Sequence, residues 1–491
     1  MKKITLIFLI VSIGLFYRCE SYLDVNDDPN YPTEVENGLV LPAAENYIAA
    51  RLGEGIFNFG GFFAQYWDQA VEANQYNNIA EYNILQSFFN REYRDLYAGA
   101  LTDLDVVRKQ AADIEAWGDY LAATVLRAYT FQILVDCMDQ APYTEALQGS
   151  AVPMPKWDNG KDIYEEIISE LDEALSKVTA GSTVSADLLL NRKINEWVAF
   201  ANAMKLKLYM RSSDIMDNGA KIMELINSGS IYFSDNIKMD VYTNNPEKRN
   251  PWYECNWSGS GLGTINNIAS YPIIAYLEGT RDPRISSLYD KTLNDTTQYK
   301  GLIPGSKTQV IGAKTKDYSY PVMTATTPVY FYTLSELNFF IAEAQLKFGN
   351  SDSDAKVAYE AAIKANFDLH GVANADEFIS RPIVAWNNAT TKEEKLKLIG
   401  LQKWVALCMV NHFEAWSEIR RLDYPRYSSY SAEEIYKDES LYTLGELIIP
   451  WVNYLNGGVV KRVPFPEIAV QLNNNTPDQK VVTTPVWWDV K

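Results

Sequence analysis

Residues 341–365 read IAEAQLKFGNSDSDAKVAYEAAIKA, and this stretch decides the fold. Ala342, Ala344 and Gly349 are followed by Ala355, Ala358, Tyr359, Ala362 and Ile363. Small residues at these places let two antiparallel helices approach closely. Gly349 begins the turn, and Tyr359 plugs the groove between them. This is the pattern of a tetratricopeptide-type helical hairpin. Residues 164–178 followed by 197–210 give another such pair. The spacing does not repeat strictly, so the chain is not a uniform array.

Helical texture extends on both sides of this hairpin. Residues 39–214 carry it at 88–112, 118–138, 162–178 and 195–210. In the third of these, Ile163, Ile167, Leu171, Ala174, Leu175 and Val178 make one apolar stripe. Asp162, Glu165 and Glu166 crowd its start, where carboxylates suit the helix dipole, and Gly181 marks its stop. Helices return over 334–422, at 334–348, 354–366, 393–410 and 414–422. Between them, 229–329 is rich in proline, with glycines at 259, 261 and 263. It reads as irregular, with short strands and one helix near 273–277. Loop-rich stretches of this length commonly carry function. The tail, 424–491, is irregular again. The expectation is an all-α-dominated single domain over 19–491, with helical hairpins as a scaffold and the loop-rich region packed on it.

The first 18 residues form a leader. Lys2 and Lys3 precede an apolar run from Ile4 to Phe16, too short to span a bilayer and shaped as a secretory signal. Cys19 stands where a lipoprotein signal is cut and the new N-terminus acylated. Phe16, Tyr17 and Arg18 occupy the places where small residues usually precede such a cysteine, and an ordinary signal peptide is the alternative reading. No other stretch reads as long and apolar enough to cross a membrane. Loss of Lys2, Lys3 and Arg18 takes the formal charge from −19 to −22. That balance excludes nucleic acid, whose phosphates demand a positive surface. Without Cys19, the odd set Cys137, Cys255 and Cys408 implies no disulfide framework, and Cys137 and Cys408 read as core residues. His370 and His412 are too few for a histidine-rich metal site and read as helix-end or surface residues.

Several segments together resemble the SusD/RagB family of nutrient-binding outer-membrane lipoproteins. They are SYLDVNDDPNYPT (21–33), LVDCMDQAPYTEAL (134–147), IYEEIISELDEAL (163–175), WVAFANAMKLKLYMR (197–211), DPR (282–284) and SELNFFIAEA (335–344). QKWVALCMVNHFEAWSEIRRLDYPR (402–426), GGVVKRVPFPEIAVQLNN (457–474) and VWWDV (486–490) complete the series. At Asp139-Gln140-Ala141 the chain departs from the family's usual Gly-Asp-hydrophobic sequence, while Pro142, Tyr143 and Ala146 stand. The resemblance implies about four tetratricopeptide-like units. It implies a surface lipoprotein anchored through Cys19, which captures an oligomeric nutrient and passes it to a SusC-type TonB-dependent transporter. Glycans are the commonest ligands implied, with peptides an alternative. No cofactor and no catalysis are implied.

Other motifs fall short of chemistry. Asp24-Val-Asn26-Asp-Asp28 begins like a calcium loop, but Pro29 and Val35 stand where Gly and Glu are required. Ser258-Gly-Ser-Gly-Leu-Gly-Thr264 lacks the ending of a phosphate loop and reads as a binding-site or packing loop. Glu336 and Glu343 suit local ion pairs better than paired acid–base catalysis, although a helical glycoside hydrolase is the competing function. Glu414, Glu418, Arg420 and Arg421 read as a helix ion-pair cluster. A periplasmic adaptor binding only proteins is a third possibility.

The aromatic clusters, read as exposed, are the best binding candidates, with Trp67 and Trp252 as core anchors of their loops the alternative. Tyr66, Trp67 and Asp68 precede Tyr76 and Asn77, and Trp252, Tyr253, Asn256 and Trp257 form a second group. Flat rings beside amides and carboxylates suit sugars, whose C–H faces stack while their hydroxyls hydrogen-bond. Trp404 and Trp416, on helices, read as core, and Trp487 and Trp488 as the seal of the C-terminus.

Overall fold

The computed structural model describes residues 35–491. The leader, Cys19 and the Asp24–Asp28 segment lie outside the described residues. The 341–365 hairpin forms from two helices, Leu334–Ala344 and Asp352–Leu369. A wider π-turn, Gln345–Gly349, ends the first, and Asn350 turns the chain at φ 51°. Asn tolerates this left-handed region because its short side chain bonds locally. Ser351 caps the second helix by accepting the Asp354 N–H. Ala342, Ala344, Ala355 and Ala362 are fully buried. Tyr359 packs edge-on against Phe339, and its hydroxyl donates to the Val384 carbonyl at 2.9 Å.

Three further pairs repeat this arrangement. Thr102–Asp113 packs with Trp117–Met138, Gly160–Lys177 with Ile194–Arg211, and Lys392–Leu407 with His412–Leu422. The scaffold is therefore four helical hairpins, as the resemblance implies. The 162–178 stripe faces inward as its periodicity predicts, with Ile163, Ile167, Leu171 and Ala174 buried. Residues 88–112 depart from the expected single helix. They break into Gln86–Phe89, Asn90–Asp95, a π-turn Leu96–Leu101, and Thr102–Asp113. Gly99 lies in that π-turn against the Tyr47 ring, where a Cβ would meet it at 2.6 Å. One further expectation is corrected. Trp117–Met138 is long and apolar enough to cross a membrane, but its apolar window lies wholly inside the protein. It is the central helix of the core.

A buried ion network ties the hairpins together. Lys207 meets Glu336 at 2.6 Å, Arg211 meets Glu414 at 2.6 Å, and Lys403 meets Glu418 at 2.7 Å. Arg421 bridges Glu343 and Glu418 at 2.5 and 2.6 Å. All eight side chains are at most 4% exposed. Of the expected cluster, Glu418 and Arg421 do pair along their own helix, and Glu414 pairs across to Arg211 in the interior. Arg420 instead donates to the Asp136 and Lys461 carbonyls, both at 2.8 Å. Burial works against the Glu343 charge, yet Arg421 and Lys347 hold its carboxyl at about 2. Burial instead pushes Glu336 up to about 7, against the pull of Lys207.

The 229–329 region lies over this scaffold as loops and two-stranded ladders. Ile237–Met239 pairs with Val329–Tyr332, and Tyr289–Asp290 with Tyr320–Pro321. The helix expected near 273–277 is Tyr271–Gly279. A second short helix, Pro251–Asn256, is present as well. Asn250 caps it by accepting the Tyr253 N–H at 3.0 Å, and Pro251 opens it. Trp404, Trp416 and Trp488 are buried, as are Cys137 and Cys408. Trp487 is half-buried.

Candidate ligand-binding site

The two aromatic clusters meet. Trp67–Gln69 pairs antiparallel with Asn267–Ala269, which brings Trp67 under the Pro251–Asn256 helix. Trp67 and Trp252 stack with centroids 5.2 Å apart and planes at 18°. Trp257 tilts onto Trp252 at 5.8 Å, and Tyr253 and Tyr320 tilt onto Trp257 at 6.4 and 5.7 Å. Asn58 anchors the base of the series. Its carbonyl accepts the Trp67 indole N–H at 3.0 Å, and its side-chain oxygen accepts that of Trp252 at 3.2 Å.

Most of the series is interior, which corrects the expectation that both clusters are exposed. Tyr66, Trp67, Asp68, Trp252 and Asn256 are each at most 3% exposed. The Tyr66 hydroxyl donates to the Trp404 carbonyl. Asp68 accepts the Gln69 N–H at 2.6 Å and the Gly305 N–H at 2.7 Å. Burial lifts its carboxyl to about 7, against these two N–H groups that favour its charge. Asn256 accepts the Tyr76 hydroxyl at 2.5 Å. Tyr76, Asn77, Tyr253 and Trp257 are half-buried, and Tyr76, Tyr253 and Trp257 stand at the outer end of the series. Asn77 accepts from the Lys307 ammonium at 2.9 Å, tying the 70–80 loop to the 303–318 loop. Tyr320 belongs to the same outer group and was missed in the sequence. The glycine-rich 258–264 loop folds back on the short helix. Leu262 N–H donates to the Cys255 carbonyl at 2.8 Å, and a Cβ on Gly261 would lie 2.2 Å from the Glu254 carbonyl. It is a packing loop at the rim.

His412 closes the inner end. It begins its helix, as expected of a helix-end residue, but it is fully buried rather than at the surface. Phe57 stacks on it at 3.7 Å, and Trp67 stands edge-on at 4.6 Å. Its Nε2 accepts the Met409 N–H at 2.9 Å while Nδ1 faces the Phe57 carbonyl at 3.1 Å. These partners fix a neutral imidazole with its proton on Nδ1. Burial pushes its pKa down to about 3, against the Phe57 carbonyl. An unfolded chain protonates this group near 6.5. Between those values the unfolded state holds more protons, so stability falls as pH falls. The contribution is intact above 6.5 and is lost toward 3, at up to about 1.4 kcal/mol per pH unit. Denaturant unfolding of the parent and His412→Gln at pH 7 and pH 5 checks this. The parent is expected to lose about 2 kcal/mol more than the variant. Equal losses would contradict the assignment.

His370 ends the Asp352–Leu369 helix, as expected. Among the described residues no group of three His, Cys, Asp or Glu is placed to hold a metal ion.

A family model described as SusD-like, starch-binding associating with outer membrane, matches residues 29–440. The chain belongs to the SusD-like family. Solved SusD-like structures share its fold. A chitin-binding SusD homolog from Flavobacterium johnsoniae superposes with a TM-score of 0.74 at 22% identity, covering 92% of this chain and 98% of its own. A SusD homolog from Bacteroides uniformis gives 0.70 at 20% identity, covering 92% and 99%. One from Bacteroides fragilis gives 0.72 at 19% identity, covering 93% and 99%. No curated protein matches. The SusD-like assignment accounts for the helical hairpins and for the loop-rich body laid over them.

Proposed function

We propose that this SusD-like chain binds an oligomeric glycan without chemical change and delivers it to a SusC-type TonB-dependent transporter. In this reading Cys19 carries the lipid anchor, and the protein sits on the outer face of the outer membrane. One observation carries the proposal. In a fold shared with a chitin-binding relative, a braced series of rings rises from the core and ends in half-buried Tyr253 and Trp257. Tyr76 flanks that end through its bond to Asn256, and Asn77 follows it in the same loop. The interior members Tyr66, Trp67, Asp68, Trp252 and Asn256 hold these residues in place rather than meeting the sugar. Rigid rings lose little freedom on binding, which favours capture of a soft ligand.

The carboxylates of the competing hydrolase reading serve structure instead. Glu336 and Glu343 are at most 1% exposed and are committed to Lys207 and Arg421. Calorimetric titration of Tyr253→Ala and Trp257→Ala with a soluble chitin or starch oligosaccharide tests the site. Each substitution is expected to weaken binding about tenfold, with the unfolding midpoint within 2–3 °C of the parent, roughly the range left by a surface change. Unchanged affinity in both variants would reject these residues as the contact surface.

A further inference from the structure

A second cleft lies elsewhere on the loop-rich body. Its volume is about 440 Å³, and Tyr271, Tyr318 and Tyr436 line it with Lys300, Ser306 and Glu439. That size is within the range of small-ligand sites. We infer that this cleft is a separate binding seat for neutral pyranose units of an oligosaccharide. The choice of sugar rests on the glycan reading above, while the location rests on geometry alone.

The cleft is built rather than incidental. Each tyrosine ring is braced. Tyr271 stands edge-on to Tyr442 at 5.2 Å, and Tyr436 edge-on to Trp451 at 5.5 Å. Tyr318 is 3% exposed, with the Lys300 ammonium 5.3 Å from its ring centre. The segment beneath is pinned. Leu302 N–H donates to the Ala269 carbonyl at 2.8 Å, and the Pro304 carbonyl accepts the Trp451 N–H at 2.8 Å. Gly305 turns at φ +67° with its N–H held by Asp68, where a side chain would press on Pro450. These bonds hold Ser306 in the lining.

Ser306 supplies the sign of a ligand. It is 0% exposed, and its hydroxyl has no partner within the protein. A buried hydroxyl left unpaired costs about 1–3 kcal/mol, so a partner that can enter the cleft is favoured there. A sugar hydroxyl is such a partner, and the partly exposed rings of Tyr271 and Tyr436 can meet the C–H faces of the same sugar, with Tyr318 as part of the wall behind them. The charges nearly offset, with Lys300 against Glu439 and Asp317. No cationic cradle exists for an acidic polysaccharide, and the apolar contacts with Leu302 and Val310 favour an uncharged one.

The test is calorimetric titration of the full mature chain with maltohexaose, cellohexaose and chitohexaose, and with oligogalacturonate as the charged counterpart. Parent, Tyr436→Ala, Ser306→Ala and Trp257→Ala are compared, with thermal unfolding of each. Tyr436 lies at the surface and the Ser306 hydroxyl bonds to nothing, so both variants are expected to fold as the parent. At least one neutral hexasaccharide is expected to bind. Tyr436→Ala should weaken its cleft phase about tenfold and Ser306→Ala about fivefold. Trp257→Ala should leave that phase unchanged. If Trp257→Ala removes all binding while the two cleft variants match the parent, the cleft assignment is wrong and the Tyr253–Trp257 surface stands. If only oligogalacturonate binds, the ligand class is wrong. If the parent binds no sugar, both readings fall.

Discussion

Arg421→Met is expected to lower the unfolding free energy by about 3–5 kcal/mol, read from denaturant midpoints. The guanidinium sits between Glu343 and Glu418, and all three are at most 4% exposed. Methionine fills similar volume, so packing loss is small. What remains are carboxylates in an interior that solvates charge poorly. Glu418 keeps Lys403 and Arg211 as partners, whereas Glu343 keeps only Lys347. Arg421→Met combined with Glu343→Gln is therefore expected to recover part of the loss, because the more isolated charge is gone. A single-variant cost below about 1 kcal/mol, the scale of a surface pair, would contradict the network's interior role.

Trp252→Ala is the second large effect, expected to cost about 3–5 kcal/mol. The side chain is 0% exposed and stacked on Trp67. Trp67 cannot follow into the space, because its indole N–H is fixed to the Asn58 carbonyl at 3.0 Å. The site therefore collapses poorly, and Trp257 loses its backing. Trp252→Phe keeps a ring but loses the bond to Asn58, at an expected cost of about 1–2 kcal/mol. Should Trp252→Ala leave stability intact while abolishing sugar binding, Trp252 would be a contact residue instead of a support.

The scaffold was legible because its signals are local. The stripe at Ile163, Ile167, Leu171 and Ala174 and the small residues of 341–365 report helix faces directly. The depth of the aromatic clusters was not legible. Polar neighbours made Trp67 and Trp252 look like a rimmed sugar platform, but those neighbours spend their groups inside the protein. Gln65 bonds both the N–H and the carbonyl of Ile448, and Asn250 accepts the Tyr253 N–H while donating to the Thr327 carbonyl. Loops packed against a core have no ladder to satisfy their backbone, so side-chain amides take that part. A sequence shows the amide but not the distant backbone it serves. The tyrosine cleft was hidden for a related reason. Tyr271 and Tyr436 come from two short helices far apart in sequence and Tyr318 from a loop, without a periodicity to join them.

The central claim is binding without chemistry. The direct measurement is equilibrium binding of a soluble hexasaccharide from starch or chitin to the purified mature chain, followed by chromatography of the recovered sugar. Saturable binding with the hexasaccharide recovered intact is the result expected. Shortened products, or no retention of any glycan, would contradict it.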